Sequence, residues 1–426
     1  MGTFVPVRRP NCISTKPPDS VTRIRLLTRW SLEVRPVRTQ NPALPRKIRI
    51  FDTTLRDGEQ APGNAMDPEQ KLDMALAIEA VGVDVVEAGF PSSSASEQRA
   101  VRLVSAALTS AYVSTLNRPI HADIQLAVDL AGTERHHLQI MATGSDIHLE
   151  HKRGVSREQA QDECVEAIGF ARSLGARHVT LAIEDASRGP DDLLRPLITE
   201  SIAAGADALT IADTTGCMLP SQYGGLIARI RSWIPDDIVI STHCHEDMGL
   251  SLANALAGLE AGADEVQATV AGIGERAGNT PLEELVTVLT YRGDELGCTT
   301  TAKTDGLYGA YELLSRTIGL ATPRNKAIFG ANAFATQAGI HQAGILRAPF
   351  TYEFVEPYRY GRERSIVIGR HSGRAVIRHI LLELDADPGD GVVDRIYAEH
   401  IAGRPGAECM SLPELRRAIV DSGVLG

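Results

Sequence analysis

The polar cluster with the clearest chemistry in this sequence is His243-Cys244-His245, which ends the apolar run IVIST. In a β-strand, residues i and i+2 point to the same face, so both imidazoles would project together. Two converging histidines form half of a typical metal site, whereas a lone histidine is more often structural. Glu246 and Asp247 follow directly and are candidate acceptors that would fix the ring tautomers. The motif therefore favours metal ligation.

A second hydrophilic run, FDTTLRDGEQ at 51–60, also follows a short apolar stretch. It offers the carboxylates of Asp52, Asp57 and Glu59, one of which could bind a divalent cation. Its arginine, Arg56, could hold a substrate carboxylate through the bidentate fork of its guanidinium. The alternative is a solvated loop with a local ion pair, and the run alone does not distinguish the two.

Further polar groups stand at the ends of other predicted strands. The loop GIGERAGN at 272–279 has glycines spaced as GxGxxxG, which differs from the dinucleotide-binding pattern, so we discount a nucleotide fold. Asn279 in this loop could give an oxygen to a metal. Glu184 and Thr214 each suggest only a surface or capping role when taken alone. Their shared position predicts one polar face formed by Asp57, Glu184, Thr214, His243, His245 and Asn279.

The polar side chains must be positioned by the elements of 47–294, where strands and helices alternate eight times. The predicted strands are 47–54, 83–90, 111–117, 136–143, 178–185, 208–216, 238–246 and 265–275. Eight near-equal units, with polar residues at the strand ends, favour an α/β fold, a (β/α)8 TIM barrel, over a doubly wound sheet. Residues 295–426 break this rhythm and are predicted to form an appended, mainly helical C-terminal segment, with helices near 305–318 and 373–384.

Composition limits the function classes. The 426-residue chain has a net charge of −11, yet residues 1–47 carry ten Lys and Arg residues against Asp19 and Glu33. The acidic remainder argues against nucleic-acid binding. No apolar run reaches the ~20 residues of a membrane helix. Six cysteines without a C-x-x-C pair favour a reducing compartment, so we expect a cytoplasmic protein.

The first 46 residues differ from the rest, because they are rich in arginine and proline and lack a sustained hydrophobic period. We expect a disordered extension at 1–46. An organelle transit peptide and a start codon placed too early are the alternatives. The absence of an apolar core of ~7–15 residues argues against a secretory signal.

Four runs together resemble the family that contains 2-isopropylmalate synthase and homocitrate synthase. They are FDTTLRDGEQAPG, the stretch from HCHEDMG to GIGERAGNTPLEEL, GIHQAG and IGRHSGR. The resemblance covers most of 47–375 and implies a Claisen-type condensation of acetyl-CoA with a 2-oxo acid, in a homodimer. It also implies a divalent cation, Mg, Mn or Zn, held by Asp57, His243 and His245 with Asn279 nearby.

The resemblance further implies roles for other residues. Arg56 would polarise the substrate carbonyl and Thr214 would bind the carboxylate of the 2-oxo acid. Glu184 would lie in the catalytic pocket, and Glu275 would support acetyl-CoA activation. Two residues of the C-terminal segment would reach the active site of the neighbouring subunit, namely His341 and Tyr352.

The identity of the 2-oxo acid is the open point. Leu116 and His148 resemble the pocket of 2-isopropylmalate synthases, which we favour. Ala182 departs from the serine usual there, Arg118 leaves room for a dicarboxylic or phosphonate-bearing acid, and GRERSIVIGRHSGR resembles short homocitrate synthases. Only 375–426 follow, which predicts no leucine-sensing domain. A homologue of specialised metabolism remains an alternative. A 3-hydroxyacyl-CoA lyase is more distant, because those lyases lack the GIHQ and HSGR runs.

Overall fold

The computed structural model of the chain describes residues 45–387, 389–405 and 408–423. The extension predicted at 1–46 therefore lies almost wholly outside the described residues. Arg46, which that prediction included, already belongs to a two-residue strand, Arg46–Lys47, that pairs in parallel with Cys298–Thr299.

Eight parallel strands close into a barrel in which each strand pairs with the next and the last pairs with the first. Their bounds are β1 Arg49–Asp52, β2 Val85–Gly89, β3 Tyr112–Asn117, β4 His136–Thr143, β5 His178–Glu184, β6 Ala208–Asp213, β7 Val239–Cys244 and β8 Glu265–Ala268. This closure confirms the predicted TIM barrel and excludes the doubly wound sheet, whose edges remain open.

A helix follows each strand and packs outside the barrel. The bounds are α1 Pro68–Val81, α2 Ala95–Ala107, α3 His121–Ala131, α4 Arg157–Ser173, α5 Asp191–Ala203, α6 Pro220–Arg231, α7 Ser251–Glu260 and α8 Leu282–Leu296. The first helix begins with a capping box, in which Asp67 accepts from the Gln70 N–H and the Gln70 side chain accepts from the Asp67 N–H. It ends at Gly82, whose φ of 91° is left-handed.

The strands alternate between an apolar outer face and a polar inner face. On β8, Val266 and Ala268 are fully buried within the main hydrophobic cluster, whereas Glu265 and Gln267 are the alternate residues. The same alternation places Gln139 of β4 among polar partners and its neighbours Leu138 and Ile140 in the cluster. The hydrophobic core therefore lies between strands and helices, and polar groups fill part of the barrel interior.

The last strand was predicted at 265–275, and this prediction is wrong because the observed strand is shorter. β8 ends at Ala268, and a short helical turn follows at Val270–Gly272, where Ala271 has a φ of 62°. The Thr269 N–H donates to the Thr280 carbonyl, so the chain turns back on itself instead of extending. The glycines of the GIGERAGN run make this a loop at the barrel mouth.

The residues after the barrel form the predicted, mainly helical C-terminal segment. Its helices are α9 Leu307–Ile318, α10 Gly339–Arg347, α11 Arg374–Glu383, α12 Asp390–Tyr397 and α13 Leu412–Asp421. A small sheet joins β9 Ala335–Thr336, β10 Ser365–Ile368 and β11 Met410–Ser411. The sheet and the last three helices share a hydrophobic cluster of their own, whereas α9 packs on α1 of the barrel.

A buried lysine of α1 connects the polar loop after β1 with helix α2. Lys71 of α1 is fully buried, and its ammonium contacts the carboxylates of Glu59 and Glu97. Glu59 also accepts from the Met66 N–H at 2.9 Å, and Glu97 accepts from the Phe90 N–H at 3.0 Å. One cation therefore neutralises two carboxylates that hold the loops after β1 and β2.

We expect Lys71→Met to lower the free energy of unfolding by about 3–5 kcal/mol, because it leaves two carboxylates without their shared counter-ion. The matched control is Lys47→Met, since Lys47 pairs with Asp84 at 2.8 Å while half exposed. That change should cost no more than about 1 kcal/mol. Urea denaturation of both variants measures the difference, and equal losses would contradict this account.

Candidate metal centre and active site

Three buried side chains converge at the C-terminal end of the barrel. Nε2 of His243 lies 3.2 Å from Oδ2 of Asp57, and Nε2 of His245 lies 3.7 Å from the same oxygen. The two Nε2 atoms are 3.2 Å apart. All the potential ligand atoms lie within 4.8 Å of one another, as a single divalent cation requires.

The backbone after β1 presents Arg56 and Asp57 to this centre. The N–H groups of Arg56, Asp57 and Gly58 all donate to the carbonyl of Thr53, at 3.2, 3.0 and 3.1 Å. This tight turn folds the loop back over the barrel end. It therefore places the carboxylate of Asp57 opposite the two histidines from the end of β7.

A glutamine that the sequence did not single out sets the tautomer of His243. Oε1 of Gln267 lies 2.8 Å from Nδ1 of His243. The amide nitrogen of Gln267 donates to Thr210 at 2.9 Å, so its oxygen faces the imidazole and accepts a hydrogen bond from the Nδ1–H group. Nε2 of His243 is then left with a lone pair directed at the centre.

The predicted tautomer-fixing acceptors, Glu246 and Asp247, are therefore wrong. Glu246 accepts from the Ser251 N–H at 2.8 Å, at the start of α7. Asp247 pairs with Arg276 at 2.7 Å. Both side chains hold neighbouring loops, because the residues that follow a barrel strand leave its inner face.

The protonation states at the centre suit a metal. Burial would raise the pKa of Asp57, but the Arg56 guanidinium, His243 and His245 together outweigh burial and hold that pKa well below its usual range. Burial and the neighbouring His243 lower the pKa of His245 to about 4. The Asp57 carboxylate and the two imidazoles can therefore offer one charged oxygen and two nitrogens to a divalent cation.

Asn279 supplies a further oxygen beside the centre. Its Oδ1 is buried and has no hydrogen-bond partner among the described residues. Its backbone pairs with that of His245. A Cβ at Gly274 would lie 2.1 Å from Asn279 Oδ1 and 3.3 Å from Asp57 Oδ1, so only glycine permits this close approach. An orphaned buried oxygen beside the three ligands fits a cation site.

Arg56 is held by two carboxylates and keeps one nitrogen for a ligand. Its Nε donates to Glu87 at 2.9 Å and its Nη1 to Asp57 at 3.2 Å. Nη2 has no hydrogen bond to any described residue. Burial would lower the pKa of Arg56, but Glu87 and Asp57 outweigh it and raise that pKa. The guanidinium is therefore a fixed cation beside the centre.

A polar network joins this arginine to the histidine across the barrel. Glu87 accepts from Gln139 at 2.6 Å, and Oε1 of Gln139 accepts from Gln267 at 3.3 Å. Gln267 contacts His243, which completes the chain. The members are buried, so each must keep its partner, and their positions are set together.

A cavity of about 380 Å³ lies above the network. Of the predicted site residues, eight line it, namely Arg56, Asp57, Leu116, Glu184, Thr214, His243, His245 and Glu275. Gln139, Met141, Ala182 and Arg276 also line it. Glu275 is held beside the centre because its backbone N–H donates to Oδ1 of Asp57 at 3.3 Å. The structure thus brings most of the predicted polar face together.

Two predicted residues contribute through specific contacts at this cavity. The Thr214 hydroxyl accepts from the Asp185 N–H at 2.8 Å, which leaves its proton for another acceptor. His148 does not line the cavity but lies behind Glu184, with 3.5 Å between Nδ1 and Oε2.

A cation that the sequence did not reveal lies at the same edge. Nζ of Lys152 lies 2.7 and 2.6 Å from the two carboxylate oxygens of Glu184, and Lys152 lines the cavity. Arg118 instead pairs with Asp123 through two nitrogens, at 2.7 and 3.0 Å, and does not line it. Lys152, not Arg118, is therefore the cation near the Leu116 end.

The two C-terminal residues lie apart from the cavity. His341 of α10 and Tyr352 contact each other, with ring centroids 4.3 Å apart. Neither lines the cavity in this chain. Tyr352 is 49% exposed, and Ile340 and Phe350 beside them are more than 80% exposed. They form an exposed aromatic and apolar surface.

The fold and site define a (β/α)8 barrel with a candidate cation centre at the C-terminal ends of its strands. Residues 47–313 match the model of the HMGL-like family, and 328–402 match the homocitrate synthase post-HMGL domain-like family. The chain belongs to the HMGL-like family. None of the helices in its described part is long and apolar enough to cross a membrane.

Named relatives agree with this assignment. The 2-isopropylmalate synthase of Xanthomonas campestris pv. campestris (strain B100) is 42% identical over 343 residues, 79% of this chain and 65% of the relative. That of Syntrophus aciditrophicus (strain SB) is 41% identical over 358 residues, 83% of this chain and 69% of the relative. The chain thus spans about two thirds of the length of these relatives.

Solved structures share the barrel. The hydroxymethylglutaryl-CoA lyase of Pseudomonas aeruginosa gives a TM-score of 0.57 at 19% identity, over 65% of this chain and 95% of that one. The HMG-CoA lyase of Brucella melitensis gives 0.56 at 18% identity, over 65% of this chain and 100% of that one. At such identities the likeness concerns the fold.

Gln267→Leu should weaken Mn²⁺ binding about 10–100-fold, because it removes the acceptor that orients His243. Isothermal titration of the metal-stripped protein measures the affinity. The control is His151→Ala, since the His151 side chain is 71% exposed and pairs with Glu150, which is not part of this hydrogen-bond network. A Gln267→Leu protein with unchanged affinity would show that His243 needs no such support.

Proposed function

We propose that the protein condenses acetyl-CoA with a 2-oxo acid to give a 2-alkylmalate, in the manner of a 2-isopropylmalate synthase. The observation that carries the proposal is the Asp57, His243 and His245 centre with Arg56 fixed beside it. The identity of 41–42% to curated 2-isopropylmalate synthases supports the same reaction class.

Asp57, His243 and His245 would hold a divalent cation, with the Asn279 oxygen beside them. Mixed nitrogen and oxygen ligands suit Mg, Mn or Zn. Bound there, the cation would act as a Lewis acid on the keto oxygen of the substrate.

The chain's own residues orient the 2-oxo acid. The hydroxyl group of Thr214 can donate a hydrogen bond to the substrate carboxylate, since its oxygen already accepts from the Asp185 N–H. The unpaired Nη2 of Arg56 can donate to the keto oxygen as negative charge develops on it. Both donors are fixed in advance, so little reorganisation is needed when the carbon–carbon bond forms.

A base must take a proton from the acetyl methyl group, which is a weak acid. Glu275 and Glu184 are the carboxylates of the cavity. Lys152 occupies both oxygens of Glu184, which favours Glu275 as the group that supports this step. After condensation, hydrolysis of the thioester releases CoA.

We also propose a homodimer in which His341 and Tyr352 serve the site of a second copy. Their side chains contact each other on an exposed surface with Ile340 and Phe350, away from the cavity of their own chain. An apolar surface of this kind is typical of interfaces. A reducing compartment such as the cytoplasm fits the free thiols of Cys164, Cys217, Cys244, Cys298 and Cys409.

Homocitrate synthesis is the second candidate, because 328–402 match a domain named for that enzyme and Lys152 could pair with the distal carboxylate of 2-oxoglutarate. Leu116, Met141 and Ala182 make the same end of the cavity apolar. Burying a carboxylate there requires Lys152 to leave Glu184. This exchange of partners favours a branched apolar acid such as 2-oxoisovalerate.

His243→Ala and His245→Ala should each abolish thiol release from acetyl-CoA and Mn²⁺ binding while the protein stays folded. The reason is that both histidines stand at the end of β7 and outside the hydrophobic cluster between strands and helices. A chelator should reproduce the loss reversibly. Full activity after metal removal would contradict the cation hypothesis.

In thiol-release assays, we expect kcat/KM for 2-oxoisovalerate to exceed that for 2-oxoglutarate by about 10³-fold, since an unpaired buried carboxylate costs several kcal/mol. Lys152→Met tests the competing view. If 2-oxoglutarate is preferred and this variant selectively loses it, the homocitrate function replaces ours. Arg118→Met is the matched control and should leave kcat/KM unchanged for both 2-oxoisovalerate and 2-oxoglutarate.

A further inference from the structure

A second cavity, of about 560 Å³, adjoins the central one. It lies between the loop after β3, residues 118–121, and helix α4, with Glu163, Glu166 and Ala167 in its wall. Met141 and Lys152 line both cavities. Two side chains therefore separate the two spaces.

The second cavity begins where the side chain of a 2-oxo acid would end. Asp57, His243 and His245 stand at the ends of β1 and β7, whereas Leu116, Met141 and Ala182 come from β3, β4 and β5. In a closed barrel, β4 lies across from β8. A substrate whose keto group faces the centre would thus direct its side chain toward Met141.

The charges in the second cavity disfavour an anionic occupant. Arg118 pairs with Asp123, and Arg153 pairs with Glu163. His121 lies 3.4 Å from Glu166. A new anion would have to displace a carboxylate from one of these groups, which exchanges one ion pair for another with little gain.

An uncharged substrate side chain would enter the second cavity without displacing any of these ion pairs. Ile120, Met141 and Ala167 offer apolar contact, and the aliphatic stems of Lys152 and Arg153 extend it. Met141 is unbranched and has three rotatable bonds, so it can move aside at small cost.

We propose that the second cavity is a distal subsite for the extended, uncharged side chain of a longer 2-oxo acid, which passes Met141 and Lys152. This inference rests on the proposed function and names a substrate class for the same site. Each methylene buried in the subsite should raise kcat/KM about fourfold, the equivalent of its transfer from water.

The test measures kcat/KM by thiol release for 2-oxobutanoate, 2-oxopentanoate, 2-oxohexanoate and 2-oxooctanoate. The wild type should improve with chain length beyond 2-oxopentanoate. Ile120→Trp narrows the second cavity only, because Ile120 does not line the central one. It should lower kcat/KM about tenfold or more for the two longest acids and leave 2-oxobutanoate unchanged.

Two controls keep the result interpretable. Leu76→Trp adds the same ring at an exposed position of α1 that lines neither cavity. It should leave kcat/KM unchanged for all four 2-oxo acids. Ala167→Leu narrows the cavity from α4 and should reproduce the effect of Ile120→Trp, with the melting temperature checked because Ala167 is buried.

Three outcomes would overturn the subsite. The wild type could gain nothing with chain length, or both narrowing variants could leave the long acids unaffected. The variants could also raise the KM for acetyl-CoA equally with every acid, which would assign the cavity to the pantetheine arm. If no 2-oxo acid of any length releases thiol, the proposed function itself fails, and the subsite fails with it.

Discussion

The carboxylate of Asp57 is buried against two imidazole nitrogens, and the upper end of the barrel is built around that contact. One oxygen faces His243, His245 and Arg56, and the other lies near the Glu275 N–H. The Arg56 guanidinium and the Glu275 N–H stabilise the buried carboxylate, and a cation bound between Asp57 and the two imidazoles would add to that stabilisation. Three segments meet at this contact, namely the turn after β1, the end of β7 and the glycine loop after β8.

The price of this arrangement is a barrel whose interior is partly polar. A TIM barrel usually fills its interior with branched apolar side chains. Here Glu87, Gln139, Thr210 and Gln267 replace part of that layer and hydrogen-bond to one another. The network holds Arg56 and His243 in fixed orientations, so its function is to position them, and the outer hydrophobic layer supplies the stability.

The sequence predicted the barrel and most of its site because both follow from local pattern. The strand at 136–143 was predicted to the residue, and the helices predicted near 305–318 and 373–384 are observed at Leu307–Ile318 and Arg374–Glu383. The network could not be predicted, since Gln139 and Gln267 become partners only when eight strands close in one register. Lys152 was missed because a lysine in a loop carries no signal until Glu184 is placed beside it.

The loop after β8 illustrates the same limit. Ala271 has a left-handed backbone, and its N–H donates to Glu283, whose other oxygen lies 3.1 Å from Lys326. Lys326 belongs to the segment beyond the barrel. A glycine-rich run predicts a loop, but its shape depends on Lys326, a cation 55 positions beyond Ala271.

Closure of the barrel has a consequence for how the protein is made. β1 pairs with β8, and Asp57 meets a backbone N–H that is 218 residues away. Contacts of such long range form late, because a large loop must be ordered first. A nascent chain therefore carries its arginine, carboxylate and histidines as unconnected pieces through most of its synthesis. The centre is complete only when the end of β7 and the loop after β8 have joined the turn after β1, so the last part of the barrel to be synthesised is also the part that completes it.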